Sequence, residues 1–297
     1  MTQQSQPSAI TINKRHQCIG AEVLGVNLSA PMDEATFQTI HQAWLDHLLL
    51  VFPGQNISDA EQIAFARRFG KLEIHPSKDH RSSRHAEIYR VANVDEQGQI
   101  LAPAGEAWRY LNITWLWHSD SSFREIPSTG SILHGIEVTG AGNGGETLFC
   151  NLYEAFDALP AEMQERIQGL RVLHSHEAVL RRGAGIDKSS KYEDIPPVEQ
   201  PLVRSHALTG RKSLFLSPHT MDGVIGLGEQ EGQELLDELI EFAIADRFVY
   251  RHVWAAHDVI MWDNRCTMHA VTPYDNASVR RIMHRATIAG DAPVQAA

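Results

Sequence analysis

Apolar positions in this chain fall into many short blocks separated by glycine, proline and polar turns, and few blocks last long enough for a helix. Residues 48–52 (Leu-Leu-Leu-Val-Phe) are an unbroken apolar run stopped by Pro53 and Gly54, the pattern of a strand buried on both faces. Further strands are expected at 9–12, 21–26, 87–91, 131–138, 170–174, 202–206, 213–216, 248–254, 257–262 and 281–288. Helical spacing is confined to a few places. Asp33 caps a segment in which Phe37, Ile40 and Trp44 share a face. Ser58 and Glu61 form a capping box ahead of Ile63 and Ala66, and Gly70 ends that helix. Residues 151–159 and 160–169 read as two short helices, and 231–245 as an amphipathic one through Leu235, Leu239 and Phe242.

Many short strands without βα alternation predict a mainly β fold with peripheral helices, a double-stranded β-helix (jelly roll). No linker-like stretch divides the chain, so 1–297 reads as a single domain. Two polar, irregular segments, near 71–114 and 176–200, are candidate lids or plain insertions. The run Gly140-Ala-Gly-Asn-Gly-Gly-Glu-Thr147 lacks the lysine and spacing of a phosphate loop and is expected to be a tight turn between strands.

Composition narrows the partners. A net charge of -11 argues against nucleic acid and anionic membrane, while leaving room for a small anion in a local basic pocket. Cys18, Cys150 and Cys266 are odd in number and widely spaced, which suits a reducing cytoplasm better than a disulfide framework. There is no apolar stretch of membrane-spanning length and no signal-peptide pattern at the start.

The chemistry centres on Trp117-His-Ser-Asp-Ser-Ser-Phe123. In an extended run, side chains two apart leave the same face, so His118 and Asp120 would converge on one point. With His269 as a distant third ligand they make two imidazoles and one carboxylate, the facial triad of non-haem Fe(II) oxygenases. The alternative is a histidine at a strand end bonded to its neighbouring aspartate. Near the end of the chain, Arg281 and Arg285 alternate with Ile282 and His284 and would leave one strand face together. They fit either an exposed strand paired with surface carboxylates or a bidentate clamp for a dicarboxylate.

Six segments in order resemble the taurine dioxygenase and dichlorophenoxyacetate dioxygenase family of Fe(II)/2-oxoglutarate-dependent oxygenases. They are Gln62 to Gly70, Trp117 to Phe123, Gly144-Gly-Glu-Thr147, Pro201-Leu-Val-Arg204, Met261-Trp-Asp-Asn-Arg-Cys266 and Arg280 to Thr287. The resemblance implies that His118, Asp120 and His269 bind iron, and that Arg281 grips the distal carboxylate of 2-oxoglutarate with help from Thr147. It implies Arg285 for the substrate anion or the cosubstrate carboxylate, with an internal carboxylate as the alternative partner of that guanidinium, and His75 for a substrate anion. Where the taurine enzyme has an asparagine four residues before its first ligand, this chain has Thr114, with Asn112 nearby as the candidate. The interval from His269 to Arg281 matches the dichlorophenoxyacetate type better.

Such an enzyme takes Fe(II), 2-oxoglutarate and O2, releases succinate and CO2, and hydroxylates a carbon of a small organic anion. If that carbon bears an ether oxygen, the product collapses and the ether is cleaved. Taurine, another sulfonate or an alkyl sulfate ester remains an alternative substrate. A zinc hydrolase using the same triad is the alternative of another class, and would need no Arg281. Phe123, Trp115 and Ile113 are candidates to wall an apolar tail. Relatives are commonly dimers or tetramers, so a homo-oligomer is expected.

Overall fold

The computed structural model describes residues 10–75, 81–103, 105–185 and 195–297. In chain order, β1 (Thr11–Lys14) and β2 (Ala21–Leu24) lead to α1 (Glu34–His47), β3 (Leu49–Phe52), α2 (Asp59–Ala66) and β4 (Ile88–Ala92). Next come α3 (Glu106–Asn112), a 3₁₀ turn at Ile113–Trp115, β5 (Gly130–Glu137), β6 (Thr147–Asn151), α4 (Leu152–Asp157), α5 (Ala161–Ile167) and β7 (Arg171–His174). The chain continues through α6 (His176–Val179), β8 (Val198–Pro201), β9 (Val203–Ser205), β10 (Lys212–Leu214), β11 (Met221–Val224) and α7 (Glu229–Ala243). It ends with β12 (Val249–His252), β13 (Val259–Asp263), β14 (Thr267–Val271), β15 (Ile282–Ile288) and β16 (Gln295–Ala296).

A seven-stranded sheet in the order β1-β2-β3-β13-β5-β15-β4 forms one wall, and the three-stranded β12-β6-β14 sheet forms the other. Phe149 of β6 meets Trp262 of β13 with ring centroids 5.4 Å apart, so the two inner faces touch. Alternation along the strands explains the continuous apolar runs. Leu49, Val51, Leu133, Ile260 and Trp262 point into the space between the sheets. Their neighbours Leu50, Phe52, Ile132, Val259 and Met261 pack outward beneath Ile40, Trp44, Ile63 and Phe65 of α1 and α2. This is the expected jelly roll with peripheral helices.

Local chemistry fixes the helices. The Asp33 side chain accepts the Thr36 amide, and Ser58 and Glu61 complete the capping box. The glycine-rich turn joins β5 to β6, with Gly140, Gly142, Gly144 and Gly145 all at positive φ. A Cβ on Gly144 would lie 2.1 Å from the Pro273 carbonyl oxygen, so this turn packs against the segment that follows β14.

Two sequence expectations change. The segment 71–114 contains α3, where no periodic pattern was apparent. Residues 117–120 are not a regular strand: His118 makes a single isolated bridge with His269, and the chain then turns at Asp120. Ser121 sits at φ 55°, which ends any extended run. Residues 76–80, 104 and 186–194 of the expected lid segments lie outside the described residues.

Candidate active site

His118 and His269 are cross-strand partners. The His118 amide donates to the His269 carbonyl at 2.9 Å and the His269 amide returns the bond at 2.8 Å. The histidine on the turn-bound segment is thereby locked to β14, which pairs in register with β6. Two residues on, the chain carries Asp120 to the same point. Ligand atoms of His118, Asp120 and His269 lie within 4.8 Å of one another, and His118 Nε2 is 4.0 Å from Asp120 Oδ1. All three side chains are buried.

Each ligand's electrostatics suits a cation. His118 Nδ1 lies 2.8 Å from the Leu116 carbonyl, which only a protonated Nδ1 can satisfy, leaving the Nε2 lone pair for a metal. Burial pushes both imidazoles down, His269 well below the ordinary histidine range, so they are neutral donors. Burial alone would raise the Asp120 carboxyl. Arg285, His269, His118 and the Ser131 hydroxyl outweigh it and hold Asp120 well below the usual carboxylate range. Two neutral imidazoles and one carboxylate on one side of a point, buried among side chains, fit a divalent iron with positions to spare.

Arg281 stands one residue before β15. Its amide donates to Asn93 Oδ1 at 2.7 Å, but its guanidinium is buried with Nε and Nη2 unpartnered. Among the described residues no carboxylate lies within 4.0 Å of it, and burial lowers its pKa. The Tyr274 ring lies beneath it at 5.9 Å. A buried guanidinium without an anion is costly, so the site calls for a carboxylate from outside the chain. Thr147, where β6 begins, accepts a bond from Trp254 Nε1 at 2.9 Å, which orients its hydroxyl. Gly145 connects the two, since a Cβ there would sit 3.5 Å from Arg281 Cδ.

Arg285 faces the triad. Its Nη1 donates to Asp120 Oδ1 at 2.6 Å, and its guanidinium lies 4.9 Å from the Tyr89 ring centre. Arg285 thus pairs with an internal carboxylate, the alternative to a substrate anion: its partner is the buried triad carboxylate itself.

A cavity of about 80 Å³ lies against the triad, lined by His75, Tyr89, Tyr110, Ile113, Thr114, Phe123, His176, His219 and Arg285 among others. His75 stacks on Tyr89 with centroids 3.9 Å apart. Asn112 is not among the lining residues. Its Oδ1 accepts from Asn276 Nδ2 at 2.6 Å, and Thr114 takes the place at the cavity. Ile113 and Phe123 line it; Trp115 instead packs near Tyr274, 6.5 Å between centroids.

Sequence reasoning missed His219 and Glu73. His219 is buried 4.6 Å from the His118 ring, with Nδ1 3.2 Å from Ser217 Oγ. Glu73 is raised by burial despite the bond from Ser121 Oγ at 2.7 Å. Neither stands in a spacing pattern; Ser217-Pro-His219 and Leu72-Glu73-Ile74 look like ordinary loop sequence.

A jelly roll holding two histidines, an aspartate and an inner unpaired arginine defines a 2-oxoglutarate-dependent dioxygenase that uses Fe(II) and O2. The profile of the taurine catabolism dioxygenase TauD, TfdA family matches residues 11–287, and the chain belongs to that family. It is 37% identical over 292 residues to the alpha-ketoglutarate-dependent 2,4-dichlorophenoxyacetate dioxygenase of Cupriavidus pinatubonensis, covering 96% of this chain and 100% of the relative. It is 36% identical to the (S)-phenoxypropionate/alpha-ketoglutarate-dioxygenase of Sphingobium herbicidovorans, covering 92% of each. Among solved structures it is similar to AAD-2 in complex with Mn(II) and N-oxalylglycine, with TM-score 0.85, 35% identity, and 95% and 99% of the two chains covered. The zinc hydrolase alternative leaves the Arg281 guanidinium without a purpose, and the relatives are dioxygenases.

Proposed function

We propose that this dioxygenase hydroxylates a small aryloxyalkanoate acid, with ether cleavage following where the attacked carbon bears the ether oxygen. His118, Asp120 and His269 would hold the iron, which when bound with 2-oxoglutarate and O2 supplies the oxidant for a substrate C–H bond. Arg281 and Thr147 would hold the distal carboxylate of 2-oxoglutarate. The observation that carries this is the buried, unpartnered Arg281 guanidinium. Arg285, with its Nε also unpartnered, and His75 would orient the acid group of the substrate. Ile113, Phe123 and Val179 offer the apolar wall for its tail. The buried lining residues Tyr89, Tyr110 and Ile113 would help to exclude water from the reacting carbon.

Residues 1–297 act as one dioxygenase domain in this reading, with the described parts of the segments near 71–114 and 176–200 bordering the cavity. Both segments reach it, through His75 and Tyr89 on one side and His176 and Val179 on the other. A cytoplasmic location accords with three free thiols; among the described residues no helix is long and apolar enough to cross a membrane. A sulfate ester is the second reading. It is favoured by His75 in the cavity and by 31% identity to the alpha-ketoglutarate-dependent sulfate ester dioxygenase of Pseudomonas putida.

The test is succinate release with a matched set: an aryloxyacetate, its uncharged amide, and an alkyl sulfate. Turnover of the acid with the amide inactive supports the proposal; a preference for the sulfate moves it to the second reading. Equal turnover of acid and amide rules out anion recognition. Arg285→Gln should erase the preference, with metal binding measured in parallel because Arg285 also touches Asp120.

A further inference from the structure

The run Met261-Trp-Asp-Asn stands out in the sequence, yet nothing so far gives Asn264 a part. We propose that Asn264 and Ser131 are positioning residues of the metal site, holding the Asp120 carboxylate so that it offers one oxygen and withholds the other. This rests on Asp120 being a metal ligand.

Ser131 of β5 stands opposite Trp262 of β13 in register, and Asn264 follows the end of β13. Asn264 is 1% exposed and every polar atom of its amide is engaged. Its Oδ1 accepts from Trp262 Nε1 at 2.9 Å and from the Asp120 amide at 3.4 Å. Its Nδ2 donates to Ser128 Oγ at 3.0 Å and to Ser131 Oγ at 3.4 Å. Those two hydroxyls then donate onward, Ser128 to the Asp120 carbonyl at 3.1 Å and Ser131 to Asp120 Oδ2 at 2.7 Å. The amide, carbonyl and one carboxylate oxygen of Asp120 therefore all trace to a single buried side chain.

The chemistry of that side chain is specific. Only a carboxamide presents an acceptor to two donors on one side and a double donor to two hydroxyls on the other. An aspartate there would lack both donors, and an apolar residue would leave four partners unmet. With Oδ2 tied to Ser131, the oxygen facing His118 is Oδ1, which also accepts from Arg285 Nη1 at 2.6 Å, so a metal there would share it with that guanidinium. A carboxylate free to turn can close on a cation through both oxygens and use up a coordination position; a tethered one offers a single donor. The indole that fixes Asn264 also packs on His269, with ring centroids 4.7 Å apart. One strand end therefore braces two of the three ligands.

The experiment compares Ser131→Ala and Asn264→Asp with the parent and with Asp120→Ala. Readouts are Co(II) affinity and d–d absorption of the anaerobic protein, and the melting temperature of its metal-free form. Ser131→Ala should weaken Co(II) binding about 10–100-fold and alter the d–d bands, the usual effect of losing an outer partner of a ligand. Its metal-free melting temperature should stay within about 3 °C of the parent. Asn264→Asp should weaken binding at least as much, and the double variant no more than the weaker single one, because the two act in one chain. Co(II) affinity within about twofold of the parent in Ser131→Ala, or a loss matched by unfolding of the metal-free protein, overturns the proposal. Ser131→Ala decides whether or not Asn264→Asp folds. If Asp120→Ala also binds Co(II) like the parent, the metal-site reading itself fails, which separates the two.

Discussion

His118 and His269 meet ring to ring, 4.1 Å between centroids, because their backbones exchange both hydrogen bonds of one isolated antiparallel bridge. Two ligands separated by about half the chain are thus set by main-chain geometry, and only Asp120 needs its own tether. The bridge ties the irregular segment carrying His118 and Asp120 to His269 on the regular strand β14, which preorganises the site.

Arg281 should behave in opposite ways with and without cosubstrate. Among the described residues its buried guanidinium meets no carboxylate, so Arg281→Met should stabilise the ligand-free protein, by roughly 1–4 kcal/mol if it follows other buried charges replaced by apolar residues. The same variant should lose 2-oxoglutarate affinity by about 2–5 kcal/mol, the cost of stripping one partner from a desolvated pair. Denaturant melts and anaerobic titration measure the two. Unchanged cosubstrate binding would place the clamp elsewhere.

Acid stability should depend on His134. It is 2% exposed, 3.4 Å from His257 Nδ1, and burial lowers its pKa to about 4, with the nearby His257 and His284 adding to the effect. The unfolded chain, near the ordinary histidine value of about 6.5, then takes up the proton first as pH falls. Stability is full above pH ~6.5 and is lost progressively toward pH ~4. His134→Gln should flatten that slope in denaturant melts run between those limits; an unchanged slope would assign the titration to other groups.

Gly144→Ala should destabilise the turn between β5 and β6. The residue sits at φ 73° and the new methyl would meet the Pro273 carbonyl. Strain plus overlap should cost at least ~2 kcal/mol. Because the next residue, Gly145, lies where an added methyl would come within 3.5 Å of Arg281 Cδ, a shift of the turn should lower 2-oxoglutarate affinity too. A variant as stable as the parent would show that the turn can shift.

Much of this was legible in the residues. The strand at 48–52 is written in five apolar residues because the sheet is covered on both faces, and the capping box at Ser58 states where α2 begins. The spacing of His118 and Asp120 alone left two readings of the triad open, and the resemblance over six ordered segments decided between them. Their local backbone was not legible: the single bridge and the turn at Ser121 depend on His269, far away in sequence. Arg285 was left between a substrate anion and an internal carboxylate because alternation shows which face a side chain leaves, not which carboxylate awaits it; the structure puts Asp120 there. Asn112 was chosen for its nearness to Thr114, yet it lies on α3 where Asn276 claims its oxygen. Asn264 and Ser131 were silent because their work is done through another residue.

The most direct test of the account is an anaerobic titration of the protein with Fe(II) followed by 2-oxoglutarate. The triad and Arg281 together predict one iron per chain and a visible iron-to-keto-acid charge-transfer band. The band should appear only when both are present and be absent from Asp120→Ala. Admitting O2 with the aryloxyacetate should then discharge it with one succinate per turnover. No band in the parent protein, or substrate turnover that proceeds without O2 and 2-oxoglutarate, would contradict the account.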